Sequence, residues 1–377
     1  MPLSIQYVTS LDAIVDEAVE FLSQPMDFFT SYKIVIPTIG ARSWLADKLA
    51  RKLGSTAKGL GDGIVAGVDF SYPGSLSLLI GSYEYENDPW SVERLTFSVL
   101  DVITKSQQYE WLIQQAGGPL LAARRIADRF DHYHFRRPGM ILGWEDNKPV
   151  LAPVAEEMKG PDNEFLIRLA RNDRWQFDLW RSVRAVVNQP SPPARDQNAE
   201  GPVPSTVLVA GLEALSLQQI EVLKKLSLLK DKNGEYCDVR TLLIHPSPPL
   251  QVRWEQSAPA VTPGYLPQKQ EIESTQDGDP LVTSWLRGTQ ESQMLLASQG
   301  FTPKHATQSQ SDSGKRPSSL LKPSSLLKSV QQTIADGSVR ADTVCKADES
   351  LLIHRCHDLS RQAEVIHDAL LHSLKQH

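Results

Sequence analysis

A run of charged and aromatic side chains between residues 124 and 137 is the part of this sequence richest in groups that could do chemistry. Cations and carboxylates are interleaved there, in the order Arg124, Arg125, Asp128, Arg129, Asp131, Tyr133, Arg136 and Arg137. On a helix, Arg124 and Asp128 lie one turn apart and pair opposite charges. Such arginines could contact phosphate or base edges while the aspartates accept from cytosine amino groups. The residues alone favour the commoner outcome, a solvated helix with internal ion pairs.

The segment from Pro37 to Ser43 follows an apolar strand and precedes a helix, which is where a phosphate-binding loop would lie. Such a loop needs small residues, a lysine for the phosphate charge and a hydroxyl for the metal. Only Gly40 is suitable, and the lysine is missing. A second strand at 206–211 likewise lacks a carboxylate directly at its tip to hold magnesium, since Glu213 is better explained as a surface residue. Both patterns predict that nucleoside triphosphate is not bound.

Other catalytic or metal-binding constellations are weak. His132 and His134 diverge on a helix, and nothing near them in sequence completes a ligand set. His354, Cys356 and His357 form the best group of soft ligands, but structural zinc sites generally present four. No Gly-x-Ser-x-Gly turn nominates a nucleophile. We therefore predict no catalytic residue, no metal and no cofactor.

Composition narrows the class of protein. The chain has 377 residues, 41% of them hydrophobic, and a net charge of −6, which excludes a uniformly basic protein that coats nucleic acid. Its three cysteines, Cys237, Cys345 and Cys356, cannot build a disulfide framework and suit a reducing compartment. No apolar run approaches the ~20 residues that a membrane helix needs. These features predict a soluble, cytoplasmic protein.

Hydrophobic periodicity predicts an α/β fold. Strands are expected at 3–8, 32–37, 63–70, 206–211 and 239–245, with helices after them at 11–21, 41–53 and 218–229. Alternation of strands and helices favours a mainly parallel, doubly wound sheet. Helical spacing from 90 to 187 interrupts this pattern and predicts a helical insertion.

The last part of the chain has a different character. Residues 256–316 are rich in Ser, Gln, Pro and Thr, which predicts a flexible excursion. Trp285, with Leu281 and Leu286, is expected to anchor it to the core at one point. A strand at 351–356 and an amphipathic helix around 365–370 would then begin a new domain. The sequence is thus expected to be part of a longer protein.

Six segments in order carry a resemblance to a known family. They begin at Ile34, Val68, Ile126, Trp175, Val207 and His354, and read IVIPTIGARSWL, VDFSYPGS, IADRFDHY, WQFDLW, VLVAGLEALS and HRCHDLSRQAEVIHD. In this order they resemble the gamma subunits of exodeoxyribonuclease V, the RecC family. Each segment is a weak signal by itself, but six in the same order make a strong one.

The resemblance implies a superfamily-1 helicase architecture of P-loop, RecA-like domains. The first RecA-like domain would comprise residues 1–85 and 201–255, with a helical insertion at 86–200 between them. Residues 256–316 would be the flexible excursion, 317–349 a helical connection and 350–377 the start of a second RecA-like domain. The family's gamma subunit descends from a helicase but does not hydrolyse ATP. This agrees with the incomplete phosphate-binding patterns at residues 37–43 and after the strand at 206–211.

The resemblance also implies a function. In this family the first domain lines a tunnel for the 3′-terminated single strand and scans it for the recombination hotspot Chi. By alignment, the scanning positions are Pro37, Ile39, Ser43, Tyr72, Leu78, Asp128, Arg129, Asp131 and Arg137, to which we add Arg125 from the same helix. The best-known members carry amides and a hydroxyl where this chain has Pro37, Ile39 and Ser43. The hotspot is therefore expected to differ, or its reading to be lost.

The implied partners are RecB-like and RecD-like subunits, single-stranded DNA and duplex DNA ends, with no membrane. Two alternatives stay open from the sequence. One is a helicase-like nuclease subunit of the AddB type, which ends in an iron–sulfur nuclease domain. The other is an α/β ATPase with an atypical phosphate loop. A further possibility is a scaffold protein that binds no DNA.

Overall fold

A computed structural model describes residues 3–24, 30–53, 63–80, 88–150, 173–201, 203–257, 280–304, 325–337, 348 and 350–376. Its centre is a five-stranded sheet in which all neighbouring strands are parallel, in the order β1-β5-β4-β2-β3. The strands are β1 (Leu3–Val8), β2 (Tyr32–Val35), β3 (Val68–Ser71), β4 (Thr206–Leu212) and β5 (Asp238–Ile244). The predicted parallel α/β sheet is confirmed.

The central strand shows why the sequence forms this sheet. Residues 207–210 of β4 are an unbroken apolar run and are all buried, as expected for a parallel strand covered on both faces. Val207 and Val209 point into one hydrophobic core, and Leu208 and Ala210 point into another on the opposite face. This alternation places helices on both faces of the sheet.

Helices α1 (Leu11–Leu22) and α2 (Ile39–Lys52) cover one face. Each begins where a hydroxyl satisfies a free backbone donor: Ser10 Oγ accepts from Ala13 N at 3.2 Å, and Thr38 Oγ1 accepts from Ala41 N at 3.1 Å. The other face is covered by a 3₁₀ segment (Pro73–Ile80) and by a helix (Leu217–Leu228) that opens with a capping box at Ser216.

Between β3 and β4 the described chain is helical and builds its own core. The helices here are α3 (Val92–Lys105), α4 (Glu110–Ala116), α5 (Pro119–Arg136), α6 (Pro138–Glu145), α7 (Arg174–Val187) and α8 (Pro192–Gln197). Trp90, Trp144 and Trp180 are fully buried in the centre of this helical block. The predicted helical content of this region is confirmed for the described residues.

After β4 come α9 (Leu217–Leu228), α10 (Pro248–Ser257), α11 (Pro280–Trp285), α12 (Arg287–Ser298), α13 (Leu326–Asp336) and α14 (Leu359–Gln376). No helix among the described residues has both the length and the apolar character that a bilayer crossing requires.

Three sequence predictions need correction. The third strand covers 68–71, whereas the prediction was 63–70. Part of the expected flexible excursion is the ordered helix α12, whose Met294 and Leu296 are buried. The prediction missed α12 because much of its buried side is polar, with Gln290 and Gln293 in place of apolar residues. Trp285 is 66% exposed and does not anchor this segment.

The third correction concerns residues 351–356, which are not a strand. The segment is rich in apolar residues, but Ile353 is 88% exposed and no strand among the described residues pairs with it. A strand requires a neighbour to satisfy its backbone groups, so the apolar pattern alone does not produce one. The helix predicted after it is present as α14.

A buried polar network joins the sheet to the helical block. Asp88, at the entrance to the block, accepts two hydrogen bonds of 2.9 Å from the guanidinium of Arg195 on α8. Only 8% of the Asp88 side chain and 10% of the Arg195 side chain are exposed. Beside this pair, Asp196 Oδ2 accepts from Ser77 Oγ at 2.9 Å and from Gln218 Nε2 at 2.8 Å. The network thus links the 3₁₀ segment, α8 and α9.

Replacing Asp88 by Ala leaves the Arg195 guanidinium without its carboxylate at a largely buried position. We expect the free energy of unfolding to fall by about 3–5 kcal/mol, as is typical when one partner of a buried ion pair is removed. Urea unfolding followed by circular dichroism measures this. The control is Asp101→Ala, which breaks an exposed pair with Lys105 on α3 and should cost no more than about 0.5 kcal/mol. Equal losses in the two variants would contradict the assigned role of Asp88.

Candidate nucleic-acid interface

The carboxyl ends of the parallel strands bring several predicted site residues to one edge of the sheet. After β2 the chain moves to β3, and after β4 it moves in the opposite direction to β5, so the crevice between β2 and β4 is a topological switch point. Pro37 and Gly211 meet there, because a Cβ on Gly211 would lie 3.6 Å from Pro37 Cδ. Ligands of open α/β sheets bind in such crevices.

The turn after β2 exposes the first group of predicted residues. Ile39, the first residue of α2, is 71% exposed, and Ser43 one turn later is also exposed. Tyr72 follows β3, which is the neighbour of β2, so it lies at the same edge of the sheet. The Thr38 hydroxyl caps α2 by accepting from Ala41 N at 3.1 Å.

Two cavities lie beside α5, where this helix packs against the sheet and the helices that cover it. The first has a volume of about 620 Å³ and lies between the 3₁₀ segment and the helical block. Its walls include Tyr72, Ser77, Leu78, Asp88, Trp90, Glu93, Arg124, Asp131, His134, Phe135 and Gln218. The second, of about 690 Å³, is lined by Asp131, His132, Phe135, Arg136, Arg137, the turn after β4 and α12. Asp131 and Phe135 line both.

The side of α5 that faces the first cavity carries paired charges. Arg124 lies 3.4 Å from Asp128 and 4.0 Å from Glu93 of α3. Burial raises the pKa of Asp131 above its ordinary value, and the carboxylates of Asp128, Glu93 and Asp88 raise it further, while His132 opposes them. Carboxylates are therefore concentrated on this wall, where a nearby ligand would meet hydrogen-bond acceptors.

The outer side of α5 carries cations instead. Arg125, Arg129 and Arg136 recur at helical spacing, and Arg137 follows at the end of the helix; all four are exposed. In the part of the chain that the structure describes, none of them forms an ion pair. We call these four residues the arginine stripe. Unneutralised guanidinium groups in a row are suited to the evenly spaced charges of a phosphate backbone.

The predicted site residues therefore fall into three groups. Tyr72, Leu78 and Asp131 line the first cavity, and Asp131 and Arg137 line the second. Arg125, Asp128 and Arg129 lie on α5 outside both cavities, and Pro37, Ile39 and Ser43 lie around the start of α2. Ile39 and Asp128 do not share a cavity with Arg137.

Sequence reasoning missed the buried polar lining of the first cavity. His134 was considered only as a metal ligand, but it is enclosed between Trp90, whose ring centroid is 5.1 Å away, and Trp180, whose Nε1–H donates to His134 Nε2 at 3.5 Å. Burial, together with the nearby Arg195 cation, lowers the pKa of His134 to about 3, so the ring is neutral. The alternation of buried and exposed positions on α5 was the available signal.

No group of three or more His, Cys, Asp or Glu side chains arranged for metal binding occurs among the described residues. His354 and Cys356 line a small apolar cavity beside α14, with no third ligand there.

Fold and site together define an α/β protein whose parallel sheet is interrupted by a helical block, with a polar cleft and a basic helix where the two meet. The chain belongs to the RecC N-terminal domain family, whose model matches residues 3–337. It is 26% identical over 399 residues to "RecBCD enzyme subunit RecC" of Mycobacterium tuberculosis (strain ATCC 25618 / H37Rv), covering 98% of this chain and 33% of that protein.

Two further relatives bear the same name. The protein of Mycolicibacterium smegmatis is 26% identical over 398 residues, covering 98% of this chain and 31% of that protein. The protein of Haemophilus influenzae is 22% identical over 404 residues, covering 93% of this chain and 34% of that protein. The chain spans about a third of the length of these relatives.

Two buried histidines should make stability depend on pH. Burial lowers the pKa of His134 to about 3 and that of His245 to about 4 in the folded state, against 6.5 when unfolded. Above pH 6.5 both states are neutral; below it only the unfolded state gains protons, so the free energy of unfolding falls as the pH falls. By linkage each histidine should contribute a loss of about 2 kcal/mol at pH 5.

Urea unfolding at pH 7.5, 6 and 5 tests this dependence. His134→Phe should remove roughly half of the loss that the two histidines cause, because its share of the proton uptake disappears. His132→Phe, at an exposed position on the same helix, should keep the pH dependence of the unsubstituted chain. Identical pH dependence in the two variants would show that His134 is not buried in its neutral form.

Proposed function

We propose that this chain is a non-catalytic, DNA-binding part of a RecBCD-type helicase–nuclease, in which it channels a single strand and scans it for a Chi-like hotspot during double-strand-break repair. The arginine stripe carries this proposal, because unpaired cations along one helix at the mouth of a cleft suit a phosphate backbone. Membership of the RecC N-terminal domain family supports it.

Reading of sequence would depend on the groups that line the cavities. Asp131 can accept from base amino groups, and Arg137 can donate to a guanine edge or to phosphate. Tyr72 and Leu78 supply flat and apolar surface for stacking. Pro37, Ile39 and Ser43 offer one hydroxyl in place of several polar groups, so we propose that the strand is guided at the start of α2 more than it is read there.

The same proposal covers architecture and partners. The sheet and its helices would be the first RecA-like domain, with the helical block as its insertion and α14 in the start of the second. RecB-like and RecD-like subunits would complete a cytoplasmic complex, as the names of the relatives suggest. Within that complex this chain would not hydrolyse ATP, because the turn after β2 has no lysine.

The arginine stripe predicts how DNA binding responds to salt. For a fluorescein-labelled single strand, log K should fall with log salt by about 0.7 for each phosphate that the protein neutralises. Replacing Arg125, Arg129 and Arg137 together by Ala should make the salt dependence weaker, reducing the magnitude of the slope by up to about 2. The substitutions should also weaken binding at low salt. Fluorescence anisotropy at several salt concentrations measures both quantities.

Arg51→Ala is the matched control, because Arg51 is an exposed arginine at the far end of α2 from Ile39, away from the carboxyl edge of the sheet. It should leave the slope unchanged. Equal slopes for the triple variant and the unsubstituted chain would remove α5 from the DNA path.

The ATPase alternative makes a different prediction, which calorimetry decides. Titration of magnesium–ATP into the chain should produce no binding heat at micromolar concentrations, because residues 37–43 contain no lysine to bind the phosphates. Micromolar affinity for magnesium–ATP would favour the ATPase.

A further inference from the structure

Three large apolar side chains are exposed on the outside of the helical block. Phe97 on α3 is 66% exposed, and Leu120 and Leu121 in the first turn of α5 are 57% and 47% exposed. A single exposed apolar residue is ordinary, whereas a contiguous group of them indicates a surface to which another molecule binds. Whether these three side chains are contiguous depends on how α3 and α5 pack together.

The contacts between α3 and α5 show that the two helices run in opposite directions. Trp90, just before α3, has its ring centroid 5.1 Å from that of His134, which lies late in α5. Glu93, in the first turn of α3, lies 4.0 Å from Arg124, which is closer to the start of α5. Moving forward along α3 therefore means moving backward along α5.

The next turn of each helix brings the exposed apolar side chains together. Phe97 lies one turn after Glu93 on α3. Leu120 lies one turn before Arg124 on α5, and Leu121 is its neighbour. Since Glu93 contacts Arg124, Phe97 lies beside the start of α5. We call Phe97, Leu120 and Leu121 the apolar patch.

The carboxylates near the apolar patch have partners within the helical block. The Arg124 guanidinium lies 3.4 Å from Asp128 and 4.0 Å from Glu93. Asp101, one turn after Phe97, lies 2.7 Å from Lys105. These carboxylates are thus at least partly neutralised.

Cations beside the apolar patch are in excess. Arg125 lies one turn after Leu121 on α5, and Arg129 lies one turn further on. Both are exposed, and neither forms an ion pair with the described residues. The chain as a whole has a net charge of −6, so this surface differs in sign from the average surface of the protein. A ligand that complements it carries large apolar groups and negative charge.

The chemistry of the apolar patch favours a polypeptide as that ligand. Single-stranded nucleic acid binds through flat aromatic side chains and cations, and leucine offers no flat face for stacking. An amphipathic helix instead places apolar side chains in the groove between two helices, and its flanking carboxylates can reach arginines at the rim.

We propose that the apolar patch, with Arg125 and Arg129, is a docking site for an acidic amphipathic helix of a partner protein. This site goes beyond the DNA-binding function proposed above and does not depend on it. Since both arginines also belong to the arginine stripe, a docked helix would compete there with the phosphates of a bound strand.

Fluorescence anisotropy with a labelled peptide tests the docking site on the 377-residue chain. The probe is a designed helix in which Leu and Phe recur at helical spacing among Glu, Asp and Ala. It should bind saturably. One comparison peptide has Lys in place of the acidic residues, and another has Ser in place of Leu and Phe. Each should bind roughly tenfold more weakly than the acidic probe.

Phe97→Ser should weaken binding of the acidic peptide roughly tenfold, because it removes the largest side chain of the apolar patch. The fold should tolerate the change, since the position is largely exposed. Leu228→Ser is the matched control, because Leu228 is 62% exposed at the end of α9, outside the helical block. It should bind the peptide as the unsubstituted chain does.

Arg125→Glu tests the charge. It should weaken binding of the acidic peptide and strengthen binding of the lysine peptide, because the same carboxylates then meet a carboxylate and the lysines meet one too. Arg51→Glu, the same change on α2, should do neither.

The docking site is overturned if the acidic peptide does not bind, if the lysine peptide binds equally well, or if Phe97→Ser and Leu228→Ser bind alike. It is also overturned if the chain forms a dimer in sedimentation that Phe97→Ser abolishes, since the apolar patch would then join two copies. Phe97→Ser should leave strand binding and its salt dependence unchanged. An unchanged salt slope in the triple arginine variant would refute the proposed DNA path and leave peptide docking through Phe97 standing.

Discussion

The position of the helical block on the sheet depends on a small set of buried polar contacts. Asp88 accepts two hydrogen bonds from Arg195 in near-complete burial. Beside them, Ser77, Asp196 and Gln218 are hydrogen-bonded to one another. Burying charge is costly, so such a pair adds little net stability, and its main effect is to require one exact partner. We infer that the network specifies how the two units meet. The first cavity exists because they meet in this way.

The way in which the helical block meets the sheet also determines which charged side chains of α5 are paired. On the side of α5 that faces the cavity, Arg124 forms ion pairs with Asp128 and Glu93, and carboxylates are concentrated there. On the outer side, the four arginines of the stripe form no ion pair with the described residues. One helix can therefore serve two purposes in the proposed function. Cations on the outer side hold phosphates without regard to sequence, and acceptors on the inner side face bases. Affinity and selectivity would come from opposite sides of α5.

Much of the fold could be predicted because local patterns and burial agree. The strand predicted at 206–211 and the helices predicted at 11–21 and 218–229 agree with β4, α1 and α9 almost to the residue. Helix α12 could not be predicted, because its buried side carries glutamines that only a folded neighbour makes tolerable. The strand at 351–356 was wrong because strand formation depends on a partner that local sequence does not reveal.

The site was less predictable for the same reason. Resemblance nominated Asp131 and Arg137, and the structure brings both to cavities. The pairing of Arg124 with Asp128 on α5 was predictable from their spacing, but the additional contact of Arg124 with Glu93, 31 residues away, was not. The neutral state of His134 depends on two tryptophans from other segments. Such contacts are set by tertiary packing, and the sequence showed only that the residue types were present.

The central claim, that a single strand lies in the cleft between α5 and the carboxyl edge of the sheet, is tested most directly by photocrosslinking. A short oligonucleotide carrying 5-iodo-2′-deoxycytidine is irradiated with the chain, and the attached residues are mapped by mass spectrometry. We expect adducts at the accessible aromatic walls of the first cavity, Tyr72 or Phe135. Adducts confined to the opposite edge of the sheet, or spread over the surface without preference, would contradict it.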